Sequence, residues 1–308
     1  MGSTGIKVSE LCLGTWRYGE ATSERDAIAI VHEALDSGIN FVDTSNFYQY
    51  GVSESIVGKA LADGRRDRTV LATKVNFATS DDVNDQGNSR RHIMQQVELS
   101  LQRLKTDWID LYYLHRPDPE TPHEEELRAM DDLIRSGKVR YAGTSHYPPW
   151  RICRSQWIAS ERNLNRFVVE QPGYSLIRRG IEPELFRCAP ELEVGLVPHS
   201  PLFQGVLTGK YHAEGGPPND ARGVQRDPQL VEKAKLATPV IEVLREIARK
   251  YDRSLDQVAI RWVLRKPAVC STVIGPRTVE QLRQNLGAIG WELSEEDMTR
   301  LDEVGFSV

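Results

Sequence analysis

The chain has 308 residues, of which 40% are hydrophobic and 27% are charged, and its 39 basic and 44 acidic side chains give a formal net charge of −5. These values are typical of a globular protein, and the mildly negative charge argues against the attraction to phosphate backbones on which nucleic-acid binding depends. No apolar stretch approaches the roughly 18 residues that cross a bilayer, and the first residues lack the pattern of a signal peptide. We therefore expect a cytoplasmic protein with neither nucleic acid nor membrane as a partner.

Short β-prone runs alternate with amphipathic helical segments along the chain. Apolar side chains recur at helical spacing in residues 25–37 and 90–104, which predicts helices that cover a sheet. Ser294 with Asp297 predicts the start of the last helix. We predict eight strands, at residues 11–14, 40–43, 69–74, 109–114, 139–144, 167–170, 194–198 and 270–274.

Eight strand–helix units without a linker predict an α/β fold, a closed (β/α)₈ TIM barrel formed by a single domain over residues 1–308. An open, doubly wound sheet is disfavoured because the first strand-to-helix turn, residues 13–16, lacks the GxGxxG pattern. Residues 5–8 precede the first strand without a helix between them. We predict that they form part of an N-terminal hairpin over the floor of the barrel.

Two loops are longer than simple connections require, at residues 76–89 and 213–226. Both follow predicted strands, so they belong to the carboxyl-terminal face of the barrel, where such barrels build active sites. We predict that they form walls or lids of a site. For the second loop, a surface insertion is the alternative.

Polar side chains occupy the ends of three successive predicted strands. Strand two ends at Asp43, with Tyr48 five residues later; strand three ends at Lys74, and strand four runs into His115. The strand ends of a barrel converge, so we expect these groups to meet. Taken singly, each has a structural explanation: a turn cap, a packed aromatic, a cation in solvent and a core histidine. Tyr50 is a close rival of Tyr48.

A phenol with an ordinary pKa near 10 exchanges protons poorly at neutral pH unless a nearby positive charge favours its anion. Lys74 can supply that charge to Tyr48, and Asp43 can keep the buried ammonium charged. A neutral His115 can donate a hydrogen bond to a substrate oxygen. These four groups suit the protonation of an oxyanion and predict carbonyl reduction.

The stretch GINFVDTSNFY at residues 38–48, continued by Gly51, Ser53-Glu54 and residues 58–61, resembles the most diagnostic signature of the aldo-keto reductase superfamily. The likeness extends over nearly the whole chain. Within the superfamily, the sequence resembles a bacterial type similar to the branch of the potassium-channel β subunits. The resemblance implies a TIM-type barrel and hydride transfer between a nicotinamide cofactor and a carbonyl or alcohol. It also implies a catalytic tetrad of Tyr48 as general acid, Lys74 and Asp43, which tune it, and His115, which positions the carbonyl.

The resemblance also implies where the nicotinamide binds. Thr15 and Trp16 follow the first strand, and Ser145, His146 and Gln171 follow or end later ones. In the family, the last three positions hold the carboxamide of the ring. His146 stands where relatives usually have Asn.

The segment HSPLFQG at residues 199–205 matches the pyrophosphate loop of the family. His199 replaces the aromatic side chain that usually stacks on the nicotinamide ring. In similar proteins the following loop folds over the cofactor, and we expect it to order on binding. The residues assigned to this part of the site are His199, Ser200, Leu202, Gln204, Gly205, Lys210 and Arg222.

The last strand runs into a helix, and a helix N-terminus with neighbouring cations is a good seat for a phosphate. The resemblance assigns Gly275, Arg277, Gln281 and Asn285 to the adenosine end of the cofactor. Arg277 suits a 2′-phosphate, so NADPH is favoured over NADH. Many relatives carry this arginine one position later, at Thr278, and a solvated residue at the helix start is the alternative for Arg277.

The sequence therefore predicts an NADPH-dependent reductase of an aldehyde, ketone or keto-sugar, with no metal site because the four cysteines are scattered. Two alternatives stay open: a non-catalytic cofactor-binding regulatory subunit and an enoyl reductase of a nucleotide sugar. Trp16, Tyr18, Phe77 and Tyr147 follow strand ends and suit the lining of an apolar substrate pocket, with packing under a long loop as the alternative for each. A homo-oligomer is compatible with the fold, since such barrels occur alone and in rings.

Overall fold

The computed structural model describes residues 1–212 and 227–307. Within them, eight strands form one sheet in the order β7-β6-β5-β4-β3-β2-β1-β8, and all neighbouring strands are parallel. The eight predicted strands are confirmed. Their bounds are β1 Leu11–Gly14, β2 Phe41–Asp43, β3 Val70–Val75, β4 Ile109–Leu114, β5 Val139–Ser145, β6 Phe167–Gln171, β7 Gly195–Leu196 and β8 Thr272–Ile274.

The strands β7 and β8 are the two ends of this ladder, and both are shorter than predicted. Backbone hydrogen bonds still connect the segments around them, because Leu196 N donates to Ala268 O at 2.8 Å and Val273 N donates to Pro198 O at 2.8 Å. The sheet therefore curls until its two ends lie within hydrogen-bonding distance. This arrangement, with the surrounding helices, is consistent with an α/β fold of the (β/α)₈ type.

Helices connect the strands and cover the outer face of the sheet. In the described residues they are α1 Glu24–Asp36, α2 Val52–Ala60, α3 Arg90–Leu104, α4 His123–Arg135, α5 Pro149–Arg162, α6 Leu185–Glu191, α7 Leu230–Leu236, α8 Thr238–Tyr251, α9 Leu255–Leu264, α10 Val279–Leu286 and α11 Glu295–Val304. Within this described part, none of them is long and apolar enough to cross a membrane.

The predicted helix starts are confirmed by their caps. Ser89 accepts a hydrogen bond from His92 N, so α3 begins as expected at residue 90. Ser294 accepts one from Asp297 N and starts α11. The backbone N–H of Ser294 donates to the Tyr251 hydroxyl at 3.0 Å instead of to Asp297. Only one of the two bonds of a capping box is therefore formed.

The predicted N-terminal hairpin is wrong. Residues 1–10, all of which the structure describes, contain no strand. Their backbone groups bond to loops and side chains instead: Ser3 N donates to Glu193 O, and Ser9 N donates to Asn40 Oδ1 at 2.8 Å. The expected position is nevertheless correct, because Met1, Ile6 and Val8 pack against the apolar cluster enclosed by the sheet. The segment covers the floor as an irregular strap.

Candidate active site

Lys74, next to the last residue of β3, is the centre of a buried polar cluster. Its ammonium forms an ion pair with Asp43 at the end of β2, and both side chains are almost completely buried. It also donates to Thr44 O at 2.8 Å and to the Tyr48 hydroxyl oxygen at 3.2 Å. Gln171 Nε2, from the end of β6, donates to the second carboxylate oxygen of Asp43 at 2.9 Å. The predicted acid, phenol and ammonium therefore do meet.

Local backbone geometry decides between the two candidate tyrosines. Thr44 N and Asn46 N donate to Ala72 O and Lys74 O, so the chain continues along β3 beyond the end of β2 before it turns. The turn has left-handed residues at positions 49 and 50, with φ of 50° and 52°. It leaves Tyr50 79% exposed, while the Tyr48 hydroxyl reaches Lys74. Tyr50 is thereby excluded as the phenol of the cluster.

The pKa of Tyr48 shifts in the direction opposite to our expectation. Burial raises it, and the Lys74 ammonium opposes this effect without overcoming it. Burial by itself would lower the pKa of Lys74, but Asp43 and Tyr48 outweigh burial and raise it. At neutral pH the cluster thus contains a protonated phenol beside a charged ammonium. Because the phenol oxygen accepts a hydrogen bond from Lys74, its own proton stays available for donation.

His115 lies beside Tyr48, as predicted, and its ring is held on two sides. Its Nδ1 shares a hydrogen bond with Ser45 Oγ at 3.1 Å. The Tyr48 and Phe77 rings meet it edge-on, with centroid distances of 5.8 Å and 4.8 Å. Burial, followed by the charge of Lys74, places the pKa of His115 well below its usual range. The imidazole is therefore neutral and able to donate one hydrogen bond.

The two residues that differ from the usual family pattern contact each other. The Nε2 atoms of His146 and His199 share a hydrogen bond at 3.0 Å, and His199 Nδ1 lies 2.9 Å from Ser200 Oγ. Burial is the largest cause that lowers the pKa of His146 to about 4 and the pKa of His199 well below its usual range. Both rings are neutral at pH 7, so one nitrogen donates and the other accepts.

This histidine pair predicts energetic coupling between residues 146 and 199. We expect His146→Phe and His199→Phe to be non-additive in the free energy of unfolding, with a coupling energy of about 1 kcal/mol. Either substitution keeps a ring but removes the shared hydrogen bond, so the second one has less to lose. Urea unfolding of the wild type, both single variants and the double variant measures the coupling. Additive losses would contradict it.

The remaining predicted residues at the strand ends connect neighbouring strands. Thr15 Oγ1 donates to Asp43 O at 3.0 Å, and Ser145 Oγ donates to Gln171 O at 2.8 Å. Trp16 is half exposed. Thr15, Ser145 and Gln171 therefore surround the Asp43 end of the cluster, and the hydroxyls of the first two already have backbone acceptors.

The predicted pyrophosphate loop has an unusual backbone. Ser200, Phe203, Gln204 and Gly205 have φ values of 61°, 44°, 54° and 86°. Phe203 N and Gly205 N donate to Ser200 O and Leu202 O at 2.9 Å, so these residues form a tight turn that uses two of its own N–H groups. A Cβ atom at Gly205 would lie 2.9 Å from Lys210 Nζ, so the Lys210 ammonium packs against this turn. Leu202 packs between the two main apolar clusters. Arg222 and the loop at residues 213–226 lie outside the described residues.

The segment after β8 agrees in part with the prediction. Thr278 caps α10, and Arg277 N donates to Gln281 Oε1 at 2.8 Å. Within the described residues, a Cβ at Gly275 would meet no atom within 4 Å, and Arg277 forms no ion pair. Asn285 is buried, with its side-chain amide 3.5 Å from Asp256 Oδ2. Arg277 therefore lies just before the helix and Glu280 in its first turn, whereas Asn285 faces a neighbouring helix.

Glu170, which the sequence patterns did not single out, supports the turn at His146 and Tyr147. Its buried carboxylate accepts hydrogen bonds from Thr144 Oγ1 at 2.6 Å and from Tyr147 N at 3.2 Å. It thereby fixes the turn in which His146 has a φ of 58°. Burial raises the pKa of Glu170 to about 8. The sequence signal that could have identified Glu170 is an acidic residue within the otherwise apolar run of β6.

The packing alternative holds for Tyr18, whereas Tyr147 is mostly buried but borders a cavity. Tyr18 is 1% exposed and packs in the main apolar cluster, and Tyr147 is 3% exposed. The Tyr147 hydroxyl donates to Glu126 at 3.0 Å. Both rings are turned into the protein because helix packing covers them, which the sequence pattern does not reveal. Phe77, beside His115, remains a candidate for the pocket wall.

The raised pKa of Glu170 predicts a pH-dependent stability. Between its unfolded pKa near 4.5 and its folded pKa of about 8, the folded state binds more protons, so stability falls as pH rises through this window. We expect Glu170→Gln, which keeps an acceptor oxygen, to remove this loss, which is about 5 kcal/mol across the window. Urea unfolding at both ends of the window measures it. Burial also raises the pKa of Glu126, to about 7, so Glu126 contributes to the same pH dependence. The variant Glu126→Gln measures that contribution separately. An unchanged slope in Glu170→Gln would contradict the assignment.

The model of the aldo/keto reductase family matches residues 10–305. The chain belongs to the aldo/keto reductase family. This result confirms the resemblance inferred from residues 38–61, and it supports a general oxidoreductase.

Three similar proteins match nearly the whole chain. It is 39% identical to the uncharacterized oxidoreductase YrpG of Bacillus subtilis, over 99% of this chain and 94% of the relative. It is 36% identical to a probable voltage-gated potassium channel subunit beta of Oryza sativa, over 94% and 90%. It is 33% identical to the aldo-keto reductase YhdN of Bacillus subtilis, over 99% and 92%.

Proposed function

We propose that this aldo/keto reductase is an NADPH-dependent enzyme that reduces an aldehyde, a ketone or a keto-sugar to an alcohol. The proposal rests on one observation: the Tyr48 hydroxyl lies 3.2 Å from the Lys74 ammonium, beside the neutral ring of His115. A proton donor, a cation and a hydrogen-bond donor are the groups that a carbonyl oxygen needs as it gains negative charge.

The proton transfer follows from the electrostatics of the cluster. His115 donates a hydrogen bond to the carbonyl oxygen and orients it toward Tyr48. As negative charge develops on that oxygen, Tyr48 donates its proton, and the Lys74 ammonium stabilises the phenolate that forms. Asp43 keeps Lys74 charged in a site where burial favours neutral groups. The upward pKa shift of Tyr48 suits this direction, because it keeps the acid loaded at neutral pH.

Several groups fit a nicotinamide dinucleotide, which supplies the hydride when bound. Ser145, His146 and Gln171 would hold the nicotinamide end, and the Lys210 ammonium beside the turn at Gly205 would hold the pyrophosphate. Arg277, which has no ion pair within the described residues, would hold a 2′-phosphate. This arginine is the reason to favour NADPH over NADH. We also propose that the curled sheet is a closed barrel, supported by the bonds between residues 196–198 and 268–273.

The test is to mix the purified protein with NADPH or NADH and a panel of aldehydes, ketones and keto-sugars. We expect the absorbance of the reduced cofactor to fall faster with NADPH and the product to be the alcohol. Product analysis separates this reaction from reduction of a conjugated double bond. Tight cofactor binding without turnover of any carbonyl would refute the enzyme proposal.

The second candidate is a regulatory subunit that binds the cofactor without turnover. It is favoured by the relatives named as potassium channel β subunits, which are 36% and 35% identical to this chain. The same assay distinguishes the two candidates. An enzyme converts many carbonyl molecules per protein molecule, whereas a regulatory subunit binds the cofactor without converting them.

A further inference from the structure

Arg178 lies in the segment after β6, next to the histidine pair. It is half-buried, and its guanidinium packs directly on the backbone of Gly173, where a Cβ atom would lie only 2.4 Å from Arg178 Cζ. Gly173 forms a bridge with His199, and Tyr174 N donates to His199 O at 3.2 Å. The absence of a side chain at residue 173 therefore allows the guanidinium to sit beside the strand end that carries His199.

Arg178 has no counterion in the part of the chain that the structure describes. No carboxylate there forms an ion pair with it. Burial lowers the pKa of Arg178, and the charge of Arg116 lowers it further. A half-buried cation without a partner carries a desolvation cost that a bound anion would offset. Its charge also reaches the site, since it contributes to the low pKa of both His146 and His199.

A cavity of about 410 Å³ opens beside Arg178, and His146, Tyr147 and Gly173 are among its lining residues. This volume suits a small organic molecule. Two acidic residues also border it. Glu170 accepts bonds from Thr144 and Tyr147 and has a raised pKa of about 8, while Glu184 is exposed. Neither forms an ion pair with Arg178, so the arginine is the cation available to a ligand here.

A second cation, Arg116, directly follows His115. It is exposed, and its guanidinium carbon lies 5.9 Å from the centroid of the Phe77 ring, which in turn contacts His115. Within the described residues it forms no ion pair. Lys74 is neutralised by Asp43, and the three histidines are neutral. The charge of Arg116 acts on His115, His146 and His199, and that of Arg178 acts on His146 and His199.

We propose that Arg178, assisted by Arg116, forms an anion subsite, and that the substrate is a carbonyl compound that carries a carboxylate or phosphate. The inference rests on the proposed reductase function, because it assumes that the carbonyl binds at Tyr48 and His115. A guanidinium binds either anion through two parallel hydrogen bonds. The anion then replaces the missing counterion of Arg178 and orients the carbonyl end toward the acid.

The first experiment compares kcat/KM for charged and neutral aldehydes of matched structure. The pairs are 4-carboxybenzaldehyde with benzaldehyde, and glyceraldehyde 3-phosphate with glyceraldehyde; the pair with the larger ratio identifies the anion. We expect the wild type to prefer the charged member, and Arg178→Met to lower this preference about tenfold or more. Gly173→Ala keeps the arginine but displaces its guanidinium, so it should lower the preference as well. Arg178→Lys should lower it less.

Arg140→Met is the matched control for the loss of one positive charge. Arg140 is exposed near the start of β5, at the opposite end of the sheet from the site. Among the described residues, its guanidinium donates to Gly137 O and lies 5.5 Å from the centroid of the Trp108 ring. It should keep the preference of the wild type. Equal preference in the wild type and in the Arg178 and Gly173 variants would overturn the subsite while the reductase function stands. A weaker NADPH affinity of Arg178→Met with an unchanged preference would assign Arg178 to the dinucleotide instead and would also overturn it.

A second measurement separates failure of the subsite from failure of the function. Calorimetric titration with 4-(hydroxymethyl)benzoate and with inorganic phosphate, in the presence of NADP⁺, needs no turnover. We expect one of these anions to bind the wild type about tenfold more tightly than Arg178→Met. If neither these four aldehydes nor any member of the wider carbonyl panel is reduced, the proposed function fails, and this titration alone decides the subsite. Equal or undetectable binding of both anions to wild type and variant then overturns it.

Discussion

Tyr48→Phe should lower kcat for carbonyl reduction about a thousandfold, because it removes the hydroxyl that transfers its proton to the developing oxyanion. The ring itself should stay in place. It packs edge-on against His115, and the Lys74 ammonium lies 5.0 Å from its centroid. The loss therefore reports on the hydroxyl. Oxidation of NADPH under saturating carbonyl measures kcat directly.

Tyr50→Phe is the matched control, since Tyr50 is only two residues away but 79% exposed. It should leave kcat unchanged, and both variants should bind NADPH with the affinity of the wild type in a fluorescence titration. If Tyr48→Phe kept kcat within tenfold of the wild type, another group would have to supply the proton. The proposed mechanism would then be wrong even if the enzyme is a reductase.

Lys74→Met should destabilise the protein by about 3–5 kcal/mol and abolish turnover. The substitution leaves the Asp43 carboxylate buried, with Gln171 as its remaining side-chain donor. A buried charge without its partner costs far more than the pair itself contributes. It also removes the cation that stabilises the phenolate of Tyr48. Urea unfolding gives the free energy, and the carbonyl assay gives the activity.

Lys59→Met provides the comparison for an exposed pair. Lys59 lies 2.8 Å from Glu24, with side chains that are 46% and 50% exposed, so its loss should cost less than about 1 kcal/mol. The double variant Lys74→Met/Asp43→Asn should regain part of the stability, because no buried charge remains, but none of the activity. A loss in Lys74→Met no larger than in Lys59→Met would show that the buried pair contributes little.

The sequence by itself was enough for the order of the strands and for the meeting of Asp43, Lys74 and His115, whereas the structure was needed to choose Tyr48 over Tyr50. The order of strands follows from the alternation of β-prone runs and helical patterns, and parallel strands must place their carboxyl ends together. For this reason Asp43, Lys74 and His115 could be expected to meet although up to 72 positions separate them along the chain. The start of α3 was also predictable, because Ser89 is a local cap.

Only the tertiary structure decided properties that depend on burial or on contacts between distant residues. The pKa of Tyr48 rises because desolvation outweighs the nearby ammonium, and no local pattern gives the balance of two opposing effects. The bonds of Gln171 to Asp43 and of His146 to His199 join residues 128 and 53 positions apart. Whether Arg178 has a counterion depends on which acids the loops bring near it. These features arise from contacts between distant residues. Sequence periodicity indicates which face of an element is buried, but not which side chains meet there.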